Sequence, residues 1–207
     1  MRSYRLLMLV LASGILLAGK SYAANWSLTA DSPLSYTFDK GNANLPPAGC
    51  SGSCYGYWDH RSTNTVGGSK VLLIAPFHLG VGYEDYSIAQ TVTVPGCSGN
   101  GCAGKVKANL QIVDVAVDLP MRFLNFTLGY GAGQANADIL VGTPSSARHA
   151  NVSQTFVAVG IPLGSALDVH AGYHWVSVEK KDFSTGWATN QLLLSGQMLS
   201  AGLRLNF

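Results

Sequence analysis

Four cysteines stand in two close pairs, Cys50/Cys54 and Cys97/Cys102, each inside a stretch rich in glycine and serine. Thiols spaced this way either form disulfides or hold zinc. Neither pair has the Cys-x2-Cys spacing of a zinc knuckle, so disulfides are the expectation. Bridges within each pair would clip two loop tips, and bridges between the pairs would tie two loops together; the spacing fits both. His170 and His174 have the spacing that chelates a metal on a helix. On a strand, four residues rise ~13 Å, too far to share an ion. Serine near histidine raises acyl transfer at His174/Ser177 and at His60/Ser62, but strand alternation sends His174 and Ser177 to opposite faces unless a bulge intervenes. No phosphate loop or haem motif is present, and a net charge of +2 is spread along the chain without a nucleic-acid patch. No catalytic residue, metal ligand or cofactor is therefore expected.

The remaining ionisable residues share one pattern. Arg204 lies between Leu203 and Leu205, in a run where Leu199, Ala201, Leu203, Leu205 and Phe207 alternate with Ser200, Gly202, Arg204 and Asn206. Asp114 and Asp118 alternate with Val113, Val115, Val117 and Leu119. Asp168, His170 and His174 alternate with Leu167, Val169, Ala171, Tyr173 and Trp175, and Glu84 follows Leu79, Val81 and Tyr83. Period-two alternation makes each run a strand with one apolar and one polar face. In a soluble sandwich the apolar face points inward; in a membrane barrel the faces are exchanged.

The N-terminus and composition choose the second. Arg2 and Arg5 precede an apolar run from Leu6 to Ala18, and Ser21-Tyr22-Ala23 offers small residues where a signal peptidase reads. Residues 1–23 read as a signal peptide and 24–207 as one domain, exported to a compartment that favours disulfides. Only 12% of residues are charged, and after Ala23 no apolar run reaches the ~18 residues of a membrane helix. Strands are expected near 33–41, 66–75, 78–91, 105–119, 123–138, 150–162, 167–180 and 191–207, eight in all. Tight turns at Ala75-Pro76-Phe77, Pro120-Met121-Arg122 and Gly164-Ser165-Ala166 alternate with four longer connections, the rhythm of periplasmic turns and extracellular loops. The expected fold is all-β: a closed, antiparallel, up-and-down transmembrane barrel, because an open sheet edge in lipid would leave backbone groups unpaired.

The ending Leu203-Arg204-Leu205-Asn206-Phe207 resembles the C-terminal signal of bacterial outer-membrane proteins, although Leu205 stands where an aromatic is often found. Segments such as Leu79-Gly80-Val81-Gly82-Tyr83 and Leu128-Gly129-Tyr130-Gly131 resemble strands of the small barrels of the OmpA, OmpX and OmpW type. The resemblance implies a location in the bacterial outer membrane, contact with its lipid, and reading of Leu203, Leu205 and Phe207 by the barrel-assembly machinery.

Eight strands leave an interior that side chains can fill. Buried charges need partners, so Glu84, Asp114, Asp118, His170, His174 and Arg204 are expected to form a lumen network, with Lys70 and Asp168 as further candidates. Arg204 is expected to neutralise one or more of Glu84, Asp114 and Asp118. Inward glycines (Gly80, Gly82, Gly129, Gly131, Gly133, Gly172) leave either a narrow lumen or space that larger neighbours occupy. A structural or surface-interaction barrel, with a surface ligand the sequence does not identify, is the first functional reading. A narrow channel for small or amphiphilic solutes is the second. A lipid-modifying barrel enzyme is the third, because such enzymes carry Ser and His at a lipid-facing or rim position.

Overall fold

The computed structural model describes residues 26–39, 63–93, 103–121, 123–141, 143–144, 148–163, 166–184 and 189–207. Residues 1–23, expected from sequence to be a signal peptide, all four cysteines, His60 and Ser62 lie outside them. The described strands are β1 (Ser27–Phe38), β2 (Thr63–Ile74), β3 (Leu79–Thr93), β4 (Ala103–Pro120), β5 (Asn125–Val141), β6 (Thr143–Pro144), β7 (Arg148–Pro162), β8 (Leu167–Val178), β9 (Lys181–Ser184), β10 (Thr189–Leu192) and β11 (Gly196–Asn206). Eight of them form one antiparallel sheet in the order β4-β3-β2-β1-β11-β8-β7-β5, and a β4–β5 ladder closes it into a barrel. The short β6 extends β5, and β9 and β10 form a separate hairpin.

Several boundaries differ from expectation by a few residues, and the first and last strands by more. The first strand begins at Ser27, not near residue 33, because Ser27, Thr29 and Asp31 already alternate inward against Leu28 and Ala30. Pro33 and Leu34 hide this, since the β1–β11 register shifts between Pro33 and Ser35. Pro33 cannot donate to a ladder, and bulges are where sheets tolerate proline. The second strand begins at Thr63, and the last begins at Gly196 rather than near residue 191, after the β9–β10 hairpin.

The short turns close tightly. Ala75 donates its N–H to the Leu79 carbonyl at 2.8 Å, Met121 to Leu124 at 2.9 Å and Leu163 to Leu167 at 2.8 Å. His78 adopts φ 63° in the first of these turns, an uncommon conformation for a residue with a Cβ. At the same end Trp26 and Phe207 exchange backbone hydrogen bonds of 2.9 Å in both directions, so the last residue is laced to the start of the first strand.

Polarity changes along each strand. On β4, Val113, Val115, Val117 and Leu119 point out and are 43–59% exposed, while Asp114, Ala116 and Asp118 point in. Beyond Ile112 the faces exchange: Lys107 and Gln111 are exposed, while Ala108, Leu110 and Ile112 are buried. β3 does the same between Tyr83 and Asp85 outside, and between Glu84 and Tyr86 inside. On β8, Trp175 and Ser177 lie outside the change, and His174 and Val176 lie inside. The half nearer the short turns is thus apolar outside and polar inside, as lipid demands. The half nearer the long connections is built like a soluble protein, polar outside over an apolar core.

Candidate functional site

Aromatic rings mark the two limits of the lipid-facing band. Phe77, Phe123, Trp26 and Phe207 are exposed at the short-turn end; Tyr83, Tyr130 and Trp175 are exposed at the polarity change. Amphipathic rings favour membrane interfaces. Leu167 to Trp175 on β8 spans about 27 Å along the strand. At the ~40° tilt of a closed barrel, that covers most of the ~25 Å apolar band of an outer-membrane barrel. An outward cleft of about 360 Å³ sits at the upper limit, bordered by Tyr130, Ser153, Thr155, Trp175, Ser177 and Gln197.

Inside this band the lumen is polar and arranged in two layers. In the layer near the short turns, Arg204 donates from Nη1 to Asp118 Oδ1 at 2.9 Å, from Nη2 to Thr127 Oγ1 at 2.5 Å and from Nε to Thr29 Oγ1 at 3.2 Å. Thr127 donates its hydroxyl hydrogen bond to Asp118 Oδ1 at 2.8 Å. Asp168 accepts from Asn125 at 2.7 Å and from Asn206 at 3.1 Å. Of the three carboxylates expected to meet Arg204, the structure shows an ion pair with Asp118.

In the middle layer Lys70 serves the other two. Its Nζ lies 2.5 Å from Glu84 Oε1 and 3.2 Å from Asp114 Oδ2, and stands 3.1 Å above the centre of the Phe156 ring. Gln154 donates to Asp114 Oδ1 at 2.9 Å. His174 stacks on Phe156 with centroids 5.3 Å apart, and His170 Nε2 is 2.7 Å from Asp31 Oδ1. The two histidines therefore hold different partners, as their strand spacing requires.

Above these layers Tyr36, Phe38, Tyr86, Ile88, Leu110, Ile112, Val152, Val176, Leu194 and Met198 form one cluster, each at most 5% exposed. Tyr36 donates its hydroxyl to the Leu194 carbonyl at 2.6 Å and fixes the chain across the top. A water-sized sphere scarcely touches these residues, so the cluster closes the lumen. The inward glycines do not widen it. A Cβ on Gly129 would lie 2.2 Å from the Phe156 ring and one on Gly131 2.1 Å from Asp114 Oδ1, so larger neighbours already occupy that space.

A Ser–His pair does meet in the lumen, though not either of the two weighed from sequence. His174 Nε2 is 3.1 Å from Ser200 Oγ, and Nδ1 is 3.9 Å from Glu84 Oε1. The outline is that of a triad, but Ser200 is 1% exposed. A Cβ on Gly172 would already lie 2.5 Å from Ser200 Oγ, so a substrate has no place beside the hydroxyl. His174 and Ser177 point to opposite sides of the wall.

Asp31, Thr29, Thr127, Gln154 and Ser200 were not singled out from sequence. Asp31 was legible in the alternation from Ser27 had the strand been started there. The others are neutral, and only cross-strand register brings them to the ions.

No protein-family model matches the sequence, and no curated protein matches it either. The structure is similar to that of OprG, an outer membrane protein of Pseudomonas aeruginosa, at 9% identity over 89% of this chain and 96% of that one, with a TM-score of 0.51. Neisserial surface protein A aligns at 12% identity over 91% of this chain and all of that one, with a TM-score of 0.48. A major outer membrane protein of Thermus thermophilus aligns at 10% identity over 90% and 100%, with a TM-score of 0.47. At such identities likeness extends to the fold and no further: this chain has the fold of a small outer-membrane β-barrel.

Proposed function

We propose that the protein is an integral barrel of the bacterial outer membrane with a closed lumen, acting through the surface it raises above the bilayer. The exchange of faces halfway along the strands carries this reading. An outward apolar band needs lipid, and an apolar core beyond that band makes a rigid platform under the long connections. The long connections then face the exterior and the short turns the periplasm. In this reading residues 1–23 are removed on export, the loop cysteines Cys50, Cys54, Cys97 and Cys102 are oxidised, and Leu203, Leu205 and Phe207 serve the assembly machinery.

A platform without a bore suits a structural role or the binding of a surface ligand better than solute passage. Refolded protein in a planar bilayer should be electrically silent at neutral pH. Stable unitary conductance under those conditions would replace this reading with the narrow channel.

A further inference from the structure

Two carboxyl groups in the middle of the lumen share one ammonium. Lys70, Glu84 and Asp114 are each at most 1% exposed, and Lys70 Nζ lies 2.5 Å from one carboxyl and 3.2 Å from the other. Beside that ammonium, Gln154 donates to Asp114 Oδ1 at 2.9 Å and the Tyr86 hydroxyl hydrogen-bonds Glu84; both donors are neutral and supply no second positive charge. With both carboxyls ionised the trio would carry one uncompensated negative charge away from bulk solvent. Burying a single unpaired charge is far more costly than neutralising it with a proton.

We infer that the trio is a proton-binding site: the closed barrel holds one proton between Glu84 and Asp114 at neutral pH, and that proton helps to keep the lumen shut.

Among the described residues, the surroundings offer no other source of compensation. Asp31 on β1 is matched by His170 of β8 at 2.7 Å, and Asp118 on β4 by Arg204 of β11 at 2.9 Å. His174 on β8, 3.9 Å from Glu84, is held by Ser200 and the Phe156 ring and crowded by the Lys70 charge over the same ring. A second positive charge there would meet the first, so His174 is neutral and the proton belongs to the carboxyls. Loss of the proton to hydroxide in the medium would leave Glu84 and Asp114 both anionic on one ammonium. Water would then be drawn in beneath the Tyr86–Leu110–Met198 layer. The site thus couples closure to pH: the proton is kept at and below neutral pH, and the hold weakens as the medium becomes alkaline.

This inference rests on the closed-lumen reading, but its test is independent of conductance. Infrared spectra of the refolded full-length barrel at neutral pH should contain the carbonyl stretch of a buried protonated carboxylic acid. Glu84→Gln and Asp114→Asn should each weaken it, because either leaves one carboxylate on the Lys70 ammonium. Asp168, buried beside Asn125 and Asn206 without an ion-pair partner among the described residues, is unchanged in both. Lys70→Met should roughly double it, and heat-modifiable migration will show that each variant is folded. The parent should lose resistance to denaturant as the pH is raised above neutral, and Glu84→Gln should lose much less. Absence of the band in the parent at neutral pH overturns the proposal, as does a band in both single variants as strong as the parent's. A parent that conducts at neutral pH while keeping the band would overturn only the closed lumen.

Discussion

A Cβ added at Gly133 would lie 1.8 Å from the backbone carbonyl oxygen of Gln111, whereas one at Gly129 would first meet the tip of the Phe156 ring at 2.2 Å. A ring can swing and a ladder carbonyl cannot. Gly129→Ala should therefore cost about 1–3 kcal/mol, the range of ordinary overpacking, and Gly133→Ala more than about 3 kcal/mol. Denaturant titration of the two refolded variants checks the order, and equal costs would contradict it. Arg204→Met leaves Asp118 buried without a cation and should cost about 3–5 kcal/mol by the same measurement. At the other extreme of energy stands Phe207, whose ring is half-exposed and whose backbone pairs with Trp26. Its deletion should remove on the order of 1–3 kcal/mol of apolar burial and leave refolding into detergent near normal. If the resemblance of its sequence to an assembly signal holds, membrane yield in cells should fall much further, and unchanged yield would refute that role. What the sequence disclosed at this scale depends on charge. Arg204, Asp118, Glu84 and Asp114 announce themselves as charges inside apolar alternation. Their division between Arg204 and Lys70 does not, because it follows from barrel shear and cross-strand register.

Strand β4 shows how far alternation alone carries. Val113 to Leu119 gives the outward face of the membrane half directly, and the strand's existence and direction follow. The same alternation continues through Lys107, Asn109 and Gln111 with the polar side now outward, and a reading that asks only for period two passes over the exchange. The signal was present as a change of residue class at fixed parity. What was missing was a reason to place the membrane boundary inside a strand rather than at its end. A charge on this outward face should therefore have opposite consequences a few residues apart. Val115→Arg faces hydrocarbon and should cost about 2–4 kcal/mol, whereas Asn109→Arg faces water and should cost no more than about 1 kcal/mol. Folding titrations into lipid vesicles measure both, and similar costs would show that the boundary is misplaced. The N-terminal strand was shortened by six residues in the sequence reading because Pro33 and the extra Leu34 break parity where the β1 ladder slips.

Closure organises the whole molecule. The Trp26–Phe207 pairing and the β4–β5 ladder give each of the eight described barrel strands a partner on both edges through the lipid-facing half, where the β1–β2 ladder runs from Ser27–Ile74 to Asp31–Lys70, and that is what permits so apolar an outer surface. Such a barrel should migrate differently on SDS gels before and after boiling, and identical migration would count against closure in lipid. The eight-stranded, all-antiparallel fold was legible from the even strand count and from turns that alternate in length. The closed lumen proposed above was not, because inward glycines are compatible with either a bore or a large neighbour; it rests on Phe156 opposite Gly129, Asp114 beside Gly131 and the apolar cluster above them. One plane divides the barrel into a lipid-facing half with a polar lumen and a water-facing half with an apolar core. Nitroxide labels placed singly from Lys107 to Leu119 on β4, in vesicle-reconstituted protein, test it most directly. Outward labels at 107, 109 and 111 should be accessible to a water-soluble relaxing agent, those at 113, 115, 117 and 119 to oxygen dissolved in lipid, and inward labels at 108 to 118 to neither. A single environment along the whole outer face, or inward labels open to water, would refute this division of the barrel.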